Sequence, residues 1–315
     1  MPKVACIGAG LVGSAWAVVF ARAGHEVSVF DSGGDAARQR AQQAIRTSLE
    51  LLARNGVLAE STDAVAARIG FVPDLATAVG GAVHVQESVK EDPDVKRAIF
   101  ARIAEHAPAD AILASSTSAI AGSKFLGDIA HPERALVAHP VNPPALIPLV
   151  ELCGTPWTAA DAVEKARAFF VALGMKPVVL RREIEGFLLN RLQYTLVAEA
   201  LHLVAEGYCT AADIDSVVKD GLALRWSTIG PFEVAHLNSP HGFQGFVDHL
   251  GPMMREMGRS ARTDYDWPDA LAAAIHAELA ARVPLDSLNA RQNWRDANIL
   301  ATRQLQRDAE DRAEV

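Results

Sequence analysis

His139 opens the run His139-Pro140-Val141-Asn142-Pro143-Pro144, directly after the apolar residues 135–138. An imidazole at the end of a buried strand is the natural proton carrier at neutral pH. Interconversion of an alcohol and a ketone by hydride transfer needs such a group, because the two differ by a proton as well as a hydride. Ser115-Ser116-Thr117-Ser118 ends another apolar stretch, and Glu151 lies in Leu149-Val150-Glu151-Leu152, just after the proline-rich run. Hydride chemistry also requires a carrier, and the first thirty residues offer it a place. Gly8-Ala9-Gly10-Leu11-Val12-Gly13 has the spacing G-x-G-x-x-G between an apolar strand at 4–7 and an Ala-rich helix at 14–23 that closes at Gly24. One glycine makes the tight turn, one lets backbone approach a pyrophosphate, and one lets the helix pack on the strand. The helix start then presents its positive end to the phosphates. A second strand at 26–30 ends in Asp31, eighteen residues past Gly13, and no arginine follows before Arg38. A carboxylate there suits a ribose diol and repels a 2′-phosphate, so the expected cofactor is NAD rather than NADP. A tight β–α connection alone would explain the glycines but not Asp31.

These side chains need a scaffold, and the apolar pattern supplies one. Residues 36–56 and 58–69 read as a helical hairpin inserted before the sheet resumes. Strands follow at 71–72, 82–86, 111–114, 135–138, 149–152 and 177–180, with helices expected near 93–105 and 158–173. Pro93 stands where the first helical turn tolerates proline. Strands alternating with helices make an α/β, doubly wound parallel sheet of Rossmann type over 1–183, with the inserted hairpin at about 36–69. After Glu183 strand signals stop, and residues 184–315 are expected to form an all-helical domain. Apolar residues recur at helical spacing over 186–207, Thr210-x-x-Asp213 starts a helix like a capping box, and loops are expected at Gly242, Gly251 and Pro284. The charged stretch 303–315 reads as a solvated helix end or frayed tail.

The glycine turn, the Ser-x-Thr-Ser segment, His139-x-x-Asn142-Pro143, Leu149-Val150-Glu151 and Gly186-Phe187-Leu188-Leu189-Asn190-Arg191-Leu192 together resemble the 3-hydroxyacyl-CoA dehydrogenase superfamily, across both domains. The likeness is closest to its lambda-crystallin and L-gulonate 3-dehydrogenase branch. The carriers are Gly221-Leu222-Ala223-Leu224-Arg225-Trp226-Ser227-Thr228-Ile229-Gly230-Pro231-Phe232-Glu233, then His236-Leu237-Asn238, and Arg291-Gln292-Asn293-Trp294-Arg295-Asp296. The resemblance implies that Ser118, His139, Glu151 and Asn190 are catalytic. His139 would be the general base, Glu151 would orient it and stabilise its charged form, and Ser118 and Asn190 would hydrogen-bond the substrate oxygen. Asn190 would come from the helical domain and place the site in an interdomain cleft. The cofactor set is Gly8, Gly10, Leu11, Val12, Gly13 and Asp31, with Glu87, Lys90 and Ser116. Ser116 departs from the asparagine usual in acyl-CoA enzymes. Asn142 and Arg225 are substrate candidates. An arginine fork suits a carboxylate, although Arg225 could equally serve a structural ion pair. Trp226 and Trp294 read as packing or interface residues, and the helical domain is expected to build a homodimer.

Length and composition agree with a packed two-domain enzyme of 315 residues. Hydrophobic residues make up 50% and charged residues 22%, which sets disordered and fibrous classes aside. A formal charge of −8 has the wrong sign for a nucleic-acid binder. Three cysteines without a C-x-x-C pair suit reduced thiols. No signal peptide or run of some 18 apolar residues is seen, so a cytoplasmic protein with no membrane partner is expected. His84, His131, His241 and His249 have no companions at metal-ligand spacing, so no metal is expected. Ser118, His139 and Glu151 could also be read as a hydrolase triad, but the chain has no G-x-S-x-G elbow and a hydrolase has no use for the glycine turn. The reaction that the branch resemblance implies is oxidation of L-gulonate to 3-dehydro-L-gulonate. Its rivals are L-3-hydroxyacyl-CoA, L-carnitine and free 3-hydroxybutyrate, and a non-catalytic NAD-binding structural protein stands as a different class. The hairpin offers Arg38, Arg40, Arg46 and Arg54, but no lysine, to CoA phosphates.

Overall fold

The computed structural model describes residues 2–263 and 268–313. The chain divides into two compact units, Met1–Asn190 and Arg191–Val315. The first holds one eight-stranded sheet: β1 (Lys3–Ile7), β2 (Glu26–Phe30), β3 (Ile69–Phe71), β4 (Ala82–Glu87), β5 (Ile112–Ser115), β6 (Ala135–Pro140), β7 (Leu149–Gly154) and β8 (Lys176–Leu180), in the order β3-β2-β1-β4-β5-β6-β7-β8. Strands β1 to β6 run parallel, as the alternation of strand and helix implies. The sheet then reverses: β7 pairs antiparallel with β6, and β8 runs parallel to β7. The sheet is thus parallel as expected except at this one pair, which reverses for a reason of length. Residues 141–148 are too few for a parallel crossover, which needs a dozen or more, so the chain turns straight back. That reversal puts His139 and Glu151 directly opposite one another across the ladder.

The helices that cover the sheet follow from their apolar spacing. Helix α1 (Leu11–Arg22) buries Trp16, Ala17, Val18, Val19 and Phe20, and the Trp16 and Phe20 rings stack at 5.4 Å. Helix α2 (Gly34–Arg54) buries Ala37, Ala41, Ile45, Leu49 and Leu52 along one stripe. The second arm of the hairpin is shorter than expected. Ser61 accepts from the Ala64 amide and starts α3 (Thr62–Ala66), while Ile69, Gly70 and Phe71 leave the helix to pair with β2 at the sheet edge. A single turn, α4 (Leu75–Val79), capped by Asp74, was not legible at five residues. Helix α5 (Pro93–His106) starts at Pro93 as expected, with Asp92 accepting from the amides of Asp94 and Val95. Helix α6 (Ala160–Ala172) crosses from β7 to β8.

Helix α7 (Leu189–Ala205) leads into the second unit, which is helical throughout its described residues: α8 (Ala211–Ser216), α9 (Ala223–Trp226), α10 (Pro231–Leu237), α11 (Gly242–Ser260), α12 (Asp269–Arg282) and α13 (Leu288–Ala313). The Thr210–Asp213 capping box forms in both directions. Breaks fall at Gly242 and Pro284, but the loop expected at Gly251 does not exist. Gly251 is buried inside α11, and Pro252 lies within the same helix. Residues 314–315 of the charged tail lie outside the described residues. Among the described residues no helix is long and apolar enough to cross a membrane.

The closest approach of α1 to β1 is at the glycine turn. A Cβ at Gly13 would lie 1.9 Å from the Gly8 carbonyl oxygen, whereas one at Gly10 would have nothing within 4 Å. Gly13→Ala is therefore expected to destabilise the fold by about 1–3 kcal/mol or more through overpacking, seen as a lowered Tm. Gly10→Ala should leave the melting curve of the unliganded protein unchanged.

Candidate active site

The His139–Glu151 pair is held at three points. His139 is the penultimate residue of β6, is 4% exposed, and faces its cross-strand partner with Nδ1 2.8 Å from Glu151 Oε2. The other carboxylate oxygen, Oε1, accepts from the backbone amides of Leu188 (2.8 Å) and Leu189 (3.1 Å). Burial acts to raise the Glu151 pKa, but the bonds from His139, Leu189 and Leu188 outweigh it and hold the carboxyl below its ordinary range. An ionised carboxylate can only accept, so the proton of neutral His139 sits on Nδ1 and the Nε2 lone pair remains for an alcohol proton.

The segment after β8 joins the rest of the site to this pair. Gly186 and Phe187 both adopt positive φ, 76° and 51°, and bring the chain round into α7. Phe187 is fully buried with Val137, Cys153 and Leu180, and its ring lies 5.2 Å from that of His139. Burial of so large a ring offsets the strain of a non-glycine residue in the left-handed region. Beyond this turn the Asn190 side-chain amide donates to the Ser118 carbonyl (2.7 Å), and the Gly186 amide donates to the Ala119 carbonyl (3.0 Å). Ser118, His139, Glu151 and Asn190 are thus brought together through residues 186–190. Two details differ from expectation. Asn190 lies in the first turn of α7, at the last position of the sheet unit, and one of its amide protons ties down the Ser118 loop. The Ser118 hydroxyl has no partner among the described residues.

Two residues that sequence reasoning missed hold that loop from below. Glu91 Oε1 accepts from the Thr117 hydroxyl (2.6 Å) and from the amides of Ser118 (2.7 Å) and Ala119 (3.1 Å). Its other oxygen lies 3.3 Å from Lys96 Nζ. Lys96 is 1% exposed and also donates to both oxygens of Glu87, at 3.0 and 3.2 Å. Glu87 is in addition the acceptor for Ser115 Oγ and the Val89 amide. Burial pushes the Glu87 carboxyl above its ordinary range even against the Lys96 charge. The expectation that Glu87 binds cofactor is therefore corrected: its carboxylate is fully buried and engaged with the protein's own donors. A lysine on the inward face of α5 was the available signal, since lysine is almost never buried without a partner.

A cavity of about 560 Å³ opens beside the glycine turn, walled by Gly8, Gly10, Asp31, Ser88, Lys90 and Arg102 among others. A Cβ at Gly8 would strike the Ser88 carbonyl oxygen at 2.5 Å, so this wall requires bare backbone. Asp31 closes the far side, accepting from the amides of Ala9 (2.6 Å) and Gly33 (2.7 Å). Gly10 starts α1 without a side-chain cap, which leaves the first amides of the helix for an anion. The lining and the helix start fit a dinucleotide: diol at Asp31, pyrophosphate at the turn.

Models of two families match most of the chain in succession: the 3-hydroxyacyl-CoA dehydrogenase NAD-binding domain over residues 3–184 and the 3-hydroxyacyl-CoA dehydrogenase C-terminal domain over 186–277. The chain belongs to the 3-hydroxyacyl-CoA dehydrogenase family. It is 40% identical over 306 residues to a lambda-crystallin homolog of Bos taurus, covering 96% of this chain and 95% of that protein. It is 36% identical to an L-carnitine dehydrogenase of Streptomyces griseus over 315 residues, 99% of this chain and 93% of that one. A solved 5-formyl-3-hydroxy-2-methylpyridine 4-carboxylic acid 5-dehydrogenase, described as an NAD-dependent dismutase, superposes with a TM-score of 0.83 at 26% identity, covering 98% of this chain and 99% of that one. As a member of this dehydrogenase family the protein is an NAD-dependent oxidoreductase acting on 3-hydroxy groups.

The remaining residues expected in this dehydrogenase's site fall as follows. Lys90 is on the cavity wall with its ammonium solvent-exposed, 4.0 Å from Asp92. Leu11 and Val12 open α1, and Leu11 is exposed. Ser116 is buried with its hydroxyl among Trp16, Gln86 and Ser88. Asn142 is exposed in the link between β6 and β7. In the second unit Arg225 is exposed on α9, and the Arg291 guanidinium stacks 3.9 Å over the exposed Trp294 ring. Arg102, on α5, is a cavity cation not singled out from sequence.

Two outcomes follow from the buried charges. Removing one partner of a buried ion pair is strongly destabilising, so Lys96→Met should lose about 3–5 kcal/mol in urea denaturation. The lowered Glu151 pKa makes its stabilisation complete above the unfolded value of about 4.3 and lost as pH falls through the folded value. The stability gap between wild type and Glu151→Gln should thus be full at neutral pH and close in acid, as measured by denaturation at a series of pH values.

Proposed function

We propose that the protein oxidises the 3-hydroxyl of a small hydroxy carboxylic acid, with L-gulonate to 3-dehydro-L-gulonate the leading reaction and His139 the general base. The observation that carries this reading is the His139 Nδ1 contact with Glu151, which leaves Nε2 basic at the end of β6. NAD supplies the hydride acceptor when bound beside the glycine turn. His139 takes the hydroxyl proton at Nε2, and Glu151 stabilises the imidazolium that results. Ser118, with an uncommitted hydroxyl, and the second amide proton of Asn190 are donors for the substrate oxygen. Asp31, the glycine turn, Leu11, Val12 and Lys90 complete the cofactor side, Ser116 stands behind it with its hydroxyl engaged by Trp16, Gln86 and Ser88, and Asn142 and Arg225 are substrate contacts. The choice of a sugar acid rests on the lambda-crystallin likeness. A second reading, L-carnitine, is supported by the dehydrogenases of that name, one of which matches 99% of the chain.

The second unit is proposed to join a second copy in a cytoplasmic homodimer. Its helices leave Leu192, Leu224, Phe232 and Leu237 each more than half exposed, more apolar surface than a solvated helix needs. Light scattering after size exclusion should give twice the chain mass.

The deciding assay follows NADH formation with L-gulonate, L-carnitine, L-3-hydroxybutyrate and L-3-hydroxybutyryl-CoA. Fastest turnover with L-gulonate is expected. Preference for L-carnitine would select the second reading, and NAD binding without turnover of any acid would point to a structural role. His139→Ala should lower kcat by roughly 10²–10⁴-fold with NAD affinity unchanged by calorimetry. A large loss of NAD binding instead would remove His139 from the proposed role.

A further inference from the structure

His84 lies on β4 in the middle of the sheet, 1% exposed, its ring stacked at 4.5 Å on Phe169 and edge-on to Phe170. Burial pushes its pKa down to about 4, so the ring is neutral, and Nδ1 has no partner. Nε2 lies 3.0 Å from Gln86 Oε1. The other end of the Gln86 amide donates to Ser116 Oγ at 2.7 Å and to the Ala138 carbonyl at 3.3 Å. A carbonyl oxygen can only accept, so Ala138 fixes which end of the amide is nitrogen. Gln86 Oε1 then faces His84, whose proton must sit on Nε2.

The direction of the next bond is equally forced. Ser116 Oγ also receives the Trp16 indole N–H at 3.1 Å, and an indole N–H can only donate. Two incoming bonds occupy both lone pairs of the Ser116 hydroxyl. Its remaining contact, Ser88 Oγ at 2.9 Å, must therefore be one that Ser116 donates. Ser88 accepts there and keeps its own proton uncommitted. Ser88 is half-buried, lines the cavity beside the glycine turn, and has its Cβ 3.4 Å from where a Gly13 side chain would begin.

We propose that the chain His84–Gln86–Ser116 sets the Ser88 hydroxyl as a hydrogen-bond donor to an acceptor oxygen of bound NAD, with Gln86 as the positioning residue that fixes the direction. The inference rests on NAD occupying this cavity. Every bond in the chain points the same way because its two controlling groups, the Ala138 carbonyl and the Trp16 indole, cannot reverse theirs. Without Gln86, Ser116 regains a lone pair and can accept from Ser88, turning that hydroxyl inward.

Calorimetric titration of NAD into the intact protein, without turnover, tests this. Ser88→Ala should raise Kd by about 2- to 12-fold, the effect of one net hydrogen bond, while the Tm of the unliganded protein stays within roughly 2 °C. Gln86→Leu should weaken NAD binding less, and adding Ser88→Ala to it should have a smaller effect than Ser88→Ala alone. The proposal is overturned if Ser88→Ala binds NAD as tightly as wild type, or if the two substitutions multiply independently. Wild-type protein that fails to bind NAD would overturn the cofactor assignment itself, and with it this inference, which a titration of wild type alone distinguishes.

Discussion

The short contact between an imidazole and a carboxylate on neighbouring antiparallel strands is the constraint around which this unit is arranged. His139 and Glu151 are cross-strand partners only because the chain reverses after β6, and it reverses because eight proline-rich residues cannot make a crossover. Cross-strand neighbours have Cβ atoms about 4.5–5.5 Å apart, so two side chains of this length meet without help from a loop. The ladder sets the spacing of the pair, and the two main-chain amides behind Glu151 keep the carboxylate charged.

Beside that pair, buried charge holds a loop in place. Lys96 sits between Glu87 and Glu91, and Glu91 in turn gathers three donors of the 117–119 loop. A buried ion pair is a weak source of net stability against an apolar alternative, so its presence beneath Ser118 is better understood as a means of fixing loop geometry. The same logic applies to the polar chain on β4. A core position filled by His84, next to Phe20, Phe169 and Phe170, would be served more simply by another aromatic ring if packing were its whole task.

Much of this was legible beforehand where a physical rule acts locally. Glycine spacing, the strand ending in Asp31, the start of α5 at Pro93 and the Thr210 capping box all depend on residues within a few positions of each other, and each stands where the pattern put it. The family and its cofactor were legible for the same reason. Errors came where distant parts of the chain decide. The reversal of β7 depends on loop length against crossover length, the loss of half the second hairpin helix on β2 offering an edge to Ile69-Gly70-Phe71, and the survival of α11 through Gly251 on packing within its own unit. Glu91 and Lys96 went unseen because a carboxylate and an ammonium in sequence look like any solvated pair until their burial is known. Glu87 shows the converse: an acidic residue at a strand end beside the cofactor turn invites a ligand role that its enclosure removes.

Glu151 divides its negative charge among an imidazole and the amides of Leu188 and Leu189. The carboxylate therefore ties the end region of β6 to the first turn of α7 through a single side chain. The chain continues from that turn to Ala205 as one unbroken helix, well into the second unit. One acceptor group thus anchors both the ring on β6 and the start of the helix that links the two units.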